Sequence, residues 1–291
     1  MYDNIVEKHF DFLADVRLCD IRHSHFDQAI ANASDKPRTC QIIYITFCQV
    51  MRMAVSDHFI TKDEYEQICG DVNLPKYHRV EKRPLNEVEK IALKDCFSSS
   101  VFTPRETAFL MLIYYCGLRK GETLALTRFD FKFTNTGDSV SITKSLIFDK
   151  NNPELKSYPK TDRGLRTVPL PAPAANYLKD YISTLPGSNL FFCSTSSMIT
   201  KSSYDKMWRS IVRKLNVAAG GTPAFPLVDD LTAHIFRHNY CTQLCYKVPD
   251  ISIKKIAQLM GDTIAVVLKV YNHIVEEKEN VSDAVSDALA M

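Results

Sequence analysis

No stretch of this sequence approaches the roughly 20 consecutive apolar residues that a membrane-spanning helix needs. The longest run, Phe109 to Leu118, is about half that length. The opening residues, Met1 to Lys8, lack the basic start and apolar segment of a secretory signal. There is no cysteine framework either: nine cysteines, an odd number, are scattered along the chain, which points to reduced thiols in the cytoplasm. Cys48, Cys96, Cys116, Cys193 and Cys241 sit inside apolar segments, where a thiol packs as a small hydrophobe. Repeats and low-complexity tracts are absent. So is a dominant charge, since 36 Lys and Arg against 34 Asp and Glu give a formal +2. A balance that small lends almost no support, by itself, to a nucleic-acid partner. What is present is the composition of a globular protein, 45% hydrophobic and 24% charged, in 291 residues, enough for two domains.

The distribution of charge says more than its sum. Lys201 to Lys214 carries five basic residues against the single acid Asp205. The segment after Val275 is acidic, with Glu276, Glu277, Glu279, Asp283 and Asp287 against Lys278. A basic body with an acidic tail can present a phosphate-binding face at small net charge.

Residues 1–72 read as helices. Ile5, Val6, Phe10 and Leu13 recur at helical spacing over Tyr2 to Ala14, and a short helix follows around Phe26 to Ala33. Pro37 opens a long helix to about Asp57, and Thr61 is an N-cap for another through Ile68. Residues 73–84 change texture: two prolines, little periodicity, and Lys76, His78, Arg79, Lys82 and Arg83. They read as a basic linker, either a solvated loop or a strap along DNA phosphates. A second domain, 85–274, opens with a helix after Asn86. Thr103-Pro104-Arg105-Glu106 then starts another with a capping box, closed by Gly117 as a left-handed C-cap. Strand candidates follow at Arg128 to Phe133, Ser139 to Thr143 and Leu165 to Leu170, then helices again after Pro173. The fold class expected is mostly α with a small antiparallel β-sheet. Residues 275–291 form a C-terminal tail, with Val281, Val285 and Leu289 on one face of a short helix.

Four separated pieces carry a resemblance. They are Gly117-Leu118-Arg119-Lys120-Gly121-Glu122; Pro159-Lys160-Thr161-Asp162-Arg163-Gly164-Leu165-Arg166-Thr167-Val168-Pro169-Leu170; His234-Ile235-Phe236-Arg237-His238; and Leu259-Met260-Gly261-Asp262 with Tyr271 beyond it. In this order they resemble the boxes of the tyrosine recombinases, the phage integrase family, from about Asn86 to Ile274. The helical first third is similar to that family's core-binding domain. The resemblance implies a metal-independent site-specific recombinase that cuts and rejoins DNA through a 3′-phosphotyrosine, for integration and excision of a mobile element.

The chemistry explains the residue types. Transesterification at a phosphodiester builds charge on non-bridging oxygens and on the leaving 5′-oxygen, and cationic donors can stabilise it. Arginine offers a planar fork that stays charged. By resemblance Arg119 and Arg237 clamp the scissile phosphate with His234 assisting, Lys160 protonates the leaving oxygen, and Tyr271 is the nucleophile. Glu122 and His238 support these groups from behind. Lys76, Arg79, Lys82, Arg83, Lys201 and Arg209 are candidate DNA contacts. The family's last box usually has His or Trp where this chain has Asp262, and an ionised carboxylate accepts hydrogen bonds but donates none. Asp262 is expected to be a tolerated variant that orients a neighbouring arginine or binds through water.

The resemblance also implies partners. These are double-stranded DNA at element ends and target site, further copies of the chain as dimer to tetramer on DNA, and accessory DNA-bending proteins; no cofactor or membrane is implied. The expected setting is the bacterial cytoplasm, on the nucleoid when bound. The opening helix is similar to the middle of the core-binding domain, so the chain is expected to be a trimmed form of a longer integrase, and its tail to dock on a neighbouring protomer.

Taken singly, each position has a plainer reading. Arg119 could be a charge favoured at a helix C-terminus, Glu122 a helix cap, Lys160 and Arg163 solvated hairpin-tip charges, Tyr271 a core tyrosine and the tail a frayed end. His234 and His238 could be a metal pair continued by Cys241 and Cys245, which would suit a metal-dependent hydrolase. A DNA-binding module with weakened catalysis, Asp262 being its mark, is the other alternative.

Overall fold

In the computed structural model, residues 2–77, 83–156, 164–194 and 197–278 are described. Arg79, Lys82, Lys160, Arg163 and the tail from 279 onward, with Val281, Val285 and Leu289, lie outside them. The chain divides into two compact units, Met1–Glu81 and Lys82–Met291.

The first unit contains α1 (Tyr2–His9), α2 (His23–Ala31), α3 (Pro37–Ser56) and α4 (Lys62–Cys69). The opening helix is shorter than its periodicity suggests, and Asp11–Leu13 continues it as a 3-10 turn. Pro37 starts α3, consistent with a residue that lacks an N–H being harmless at the first helical position. Thr61 caps α4: its hydroxyl accepts from the Glu64 N–H at 3.2 Å while Glu64 reaches back to the Thr61 N–H at 2.7 Å. The core is formed by the inward faces of these helices, with Phe26 stacked on Phe47 at 4.1 Å between ring centres.

The second unit opens with α5 (Glu87–Ser98) and α6 (Pro104–Tyr115), both started by reciprocal caps. At α6, the Thr103 N–H donates to Glu106 at 2.8 Å, and Lys214 also binds that buried carboxylate at 2.6 Å. After α7 (Lys120–Leu124) come β1 (Phe131–Lys132), β2 (Ser139–Ile142), β3 (Ser145–Asp149), β4 (Asn152–Lys156) and β5 (Arg166–Pro169). β1, β2 and β5 form one antiparallel sheet, with Val140 opposite Val168. The first strand candidate, Arg128 to Phe133, is only partly a strand. Asp130 accepts from both the Thr127 N–H and its hydroxyl at 2.7 Å, and this local bonding holds Arg128–Asp130 as a 3-10 turn.

Two hairpins were not anticipated. β3 and β4 pair through the two-residue turn Lys150-Asn151, with Lys150 at φ +52°. Asn151 anchors that turn to the start of α9 (Lys201–Ala218) through the Ser202 N–H at 2.9 Å. Before it, α8 (Ala172–Ser183) leads to the short pair β6 (Phe192–Ser194) and β7 (Ser197–Met198). The last described elements are α10 (Ala233–Cys245), α11 (Ile253–Met260) and α12 (Ile264–Lys278). α12 runs through residues 275–278, which the sequence reading assigns to the tail. No helix among the described residues is long and apolar enough to cross a membrane. All nine cysteines are free, and most are buried as expected. Cys193 is the correction among those named: it lies exposed on β6, a short strand with solvent on one side.

Candidate active site

α6 ends at Tyr115 with Cys116 as its C-cap, and Gly117 follows at φ +60°, a conformation that costs any residue with a β-carbon. A β-carbon there would lie 2.3 Å from Tyr240 Cδ1, so the glycine also permits close approach of α10. The reversed chain buries Leu118 and sets Arg119 as the N-cap of α7.

Glu122, on the first turn of α7, is buried and serves two arginines. One oxygen accepts from the Arg119 backbone N–H at 2.8 Å and the other from Arg119 Nη1 at 2.9 Å. The helix cap and the guanidinium support, alternatives in the sequence, are one arrangement. Arg166, at the start of β5, grips the same carboxylate with both Nη atoms at 3.0 and 2.8 Å. Burial pushes the Glu122 carboxyl up, but the hydrogen bonds and charge of Arg166, the Arg119 N–H and the charge of Arg237 outweigh it, holding it down to about 2. Arg166 is the residue that sequence reasoning missed. Its only signal was its place in the Arg-x-Val-Pro-Leu ending of the second box.

Arg237 arrives from α10 and is 2% exposed. Its Nη1 donates to the Gly117 carbonyl at 2.8 Å, and its Nη2 to the Met260 carbonyl and to Asp262 Oδ2, the latter at 2.5 Å. Burial and the neighbouring Arg119 charge lower its pKa, while Asp262 and Glu122 oppose that. Arg119 Nη2 donates to the Gly261 carbonyl at 2.7 Å and to Asp262 Oδ1 at 3.0 Å. Asp262 therefore bridges the two arginines, one oxygen to each.

The three guanidiniums converge on the C-terminal end of α11. Its last carbonyls lack partners along the helix and lie at the negative end of the helix dipole. Arg166 Nε takes Leu259 at 2.8 Å, Arg237 takes Met260, and Arg119 takes Gly261. Gly261 is left-handed at φ 59°, and the Asp262 N–H closes the turn on Ala257 at 3.0 Å. The order Arg237, Asp262, Arg119, Glu122, Arg166 alternates in charge and leaves one net positive charge. An open cleft of about 740 Å³ adjoins it, lined by Arg166, Lys254, Lys255, Gln258, Asp262 and Thr263 among others.

Tyr271 lies on α12, half-buried against the apolar cluster of Cys241, Cys245, Ile256, Met260 and Val267. That cluster joins its helix to α10 and α11, which carry Arg237 and lead into Asp262. Tyr240, on α10 itself, is a packing residue: burial, reinforced by Cys116, pushes its phenol up to about 12 against the charges of Arg166 and Arg237. His234 is exposed one turn before Arg237, and His238 is half-buried, its Nδ1 3.4 Å from the Thr242 hydroxyl. Among the described residues no three His, Cys, Asp or Glu side chains are grouped to hold a metal.

The other candidates are spread out. Lys76 is exposed in the first unit, and Arg209 is exposed on α9. Lys201 pairs with Asp205 at 2.7 Å. Arg83 is committed to acids, binding buried Glu89 through both Nη atoms and Asp230 at 2.6 Å.

The profile of the phage integrase family matches residues 85–278. A tyrosine recombinase XerC-like protein of Caldanaerobacter subterraneus is 25% identical over 206 residues, 63% of this chain and 49% of its own length. The chain thus spans about half the length of that relative. The Tn1549 transposon integrase in complex with transposon right end DNA has the same fold at a TM-score of 0.73 and 20% identity, over 99% of this chain and 93% of its own. The lambda integrase tetramer bound to a Holliday junction gives 0.60 and 19%, over 90% of this chain and 67% of its own.

Proposed function

The chain belongs to the phage integrase family, and from that premise we propose that it cleaves and rejoins double-stranded DNA through a 3′-phosphotyrosine on Tyr271. The observation that supports this most is the convergence of Arg119 and Arg237, from separate segments, at one helix end. In this reading they meet the non-bridging oxygens of the scissile phosphate, where charge grows during transfer. Tyr271 gives up its phenolic proton to water as its oxygen forms a bond to phosphorus and the bond to the 5′-oxygen breaks, and Lys160 supplies a proton to that leaving oxygen. His234, one turn before Arg237, adds a donor. Glu122 and His238 hold their neighbours in place. The phosphotyrosine conserves the bond, so a 5′-hydroxyl of a second strand reverses the step and completes exchange.

Several copies act together on duplex DNA in this proposal, as for the lambda tetramer on its junction. Integration and excision of a mobile element is the setting that the likeness to a transposon integrase supports. Lys76 and Arg209 are exposed candidates for phosphate contacts. Arg83, neutralised by Glu89 and Asp230, is better suited to anchoring the start of the second unit.

Incubation with a nicked duplex carrying the element's end sequence, in the presence of a chelator, should give an adduct on a denaturing gel. Tyr271→Phe should abolish it. An adduct that persists in that variant would overturn the nucleophile assignment. Salt-sensitive duplex binding without any adduct would favour the second reading, a binding module, which the engagement of both arginines by Asp262 makes worth separating.

A further inference from the structure

The contacts of Asp262 go beyond those of a residue that tolerates a missing imidazole. Both of its oxygens are used, Oδ1 by Arg119 at 3.0 Å and Oδ2 by Arg237 at 2.5 Å. A phosphodiester bound between the same two guanidiniums would present two non-bridging oxygens in the same way, because both anions spread one negative charge over two acceptors. Arg237 is 2% exposed, whereas the side chains of Arg119 and Asp262 are 38% and 27% exposed. Of the two carboxylates on Arg119, Asp262 is therefore the one that solvent reaches, Glu122 being only 4% exposed. Glu122 approaches Arg119 through Nη1 instead.

We propose that Asp262 is a built-in occupant of the phosphate seat, an intramolecular anion that the scissile phosphate must displace from Arg119 and Arg237. This rests on the reading of those two residues as the phosphate clamp. The exchange conserves charge: one monoanion leaves the pair and another arrives, so the cluster keeps its net positive charge. Competition follows from mass action, since a carboxylate held on the chain is always present and lowers apparent affinity for any anion at the same donors. The location adds a consequence. Asp262 begins the joint between α11 and α12, where its N–H closes the α11 turn and Thr263 caps the next helix through the Val266 N–H at 3.3 Å. Phosphate arrival is thereby felt at the start of the helix that carries Tyr271, and an empty site keeps the joint tied down.

Inorganic phosphate is the probe, titrated against the full chain and followed by thermal shift and by two-dimensional NMR of arginine side chains. Wild type should bind weakly. Asp262→Asn, which keeps the shape and removes the charge, and Asp262→Ala should each bind phosphate at least tenfold more tightly. That gain should vanish when Arg119→Ala is added. Unchanged or weaker binding in a folded Asp262→Asn protein would overturn the proposal and leave Asp262 as a residue that only spaces the arginines. If the gain appears but survives Arg119→Ala, the clamp reading itself fails. If Arg119→Ala lowers duplex affinity while Asp262→Asn leaves phosphate affinity unchanged, the clamp reading stands and this proposal alone falls.

Discussion

At Glu122, burial alone would push the carboxyl up, and it is the Arg166 fork, the Arg119 N–H and the Arg237 charge that bring it to about 2 from an ordinary 4.5. A carboxyl whose pKa is lower in the folded than in the unfolded chain contributes stability above pH 4.5. That contribution is lost as pH falls towards 2. For so deeply buried a group the linked contribution is roughly 3 kcal/mol. Urea unfolding at pH 7 and pH 3 should therefore show wild type losing much of this amount. Glu122→Gln, already weaker by about 3–5 kcal/mol because it leaves the buried Arg166 guanidinium without its carboxylate, should lose less on acidification. Equal acid sensitivity in the two proteins would remove Glu122 as the titrating group. The residue scale is also where sequence reading reached its limit. Arg119, Glu122, Arg237 and Asp262 were named from their boxes, but Arg166 was one cation among several in a turn-rich stretch. Only the pairing of β5 with β2, which sets where that strand starts, brings it to Glu122.

Elements were legible where they carry local chemistry. The capping box of Thr103 with Glu106 and the N-cap at Thr61 form as their sequences imply, and Thr61 with Glu64 and Asn86 with Glu89 add two more reciprocal pairs three residues apart. β3 and β4 were not, because Pro153, Glu154 and Lys156 have little strand preference. Gly117 joins the two kinds of information: a helix stop readable from sequence, and a contact with Tyr240 that is not. Gly117→Ala should cost about 1–2 kcal/mol for the left-handed backbone and about 1–3 kcal/mol more for the collision with the Tyr240 ring. Because the Gly117 carbonyl also accepts from Arg237, adduct formation should fall with stability. In a Tyr240→Ala background the same substitution should cost only the backbone share. Chemical unfolding of the four proteins completes the cycle, and a cost unchanged by Tyr240→Ala would show that the close approach is unimportant.

On the scale of the whole molecule, apolar burial divides along the chain. One core draws on residues from Ile5 to Cys69, another on residues from Leu85 to Phe236, and a third, around Tyr271, on residues from Cys241 to Ile274. The first belongs to the unit ending at Glu81 and the other two to the unit that follows. In the sequence, residues 73–84 read as a linker, since prolines and charges cannot continue a periodic apolar face. A core that recruits nothing from the first unit should survive its removal. A fragment beginning at Arg83 keeps Glu89 and Asp230, so its first residue retains its anchors. That fragment should unfold cooperatively, keep the near-UV circular dichroism of its buried aromatic residues, and melt within a few degrees of the corresponding transition in the full chain. Of the two units, the first, with ~80 residues around one small core, should be the less stable alone, because a core of that size rarely supplies more than about 3–5 kcal/mol. If the fragment from Arg83 instead shows helical far-UV signal without near-UV signal or a cooperative transition, the arginine array depends on residues 1–82. The site would then have to be assigned to the entire chain.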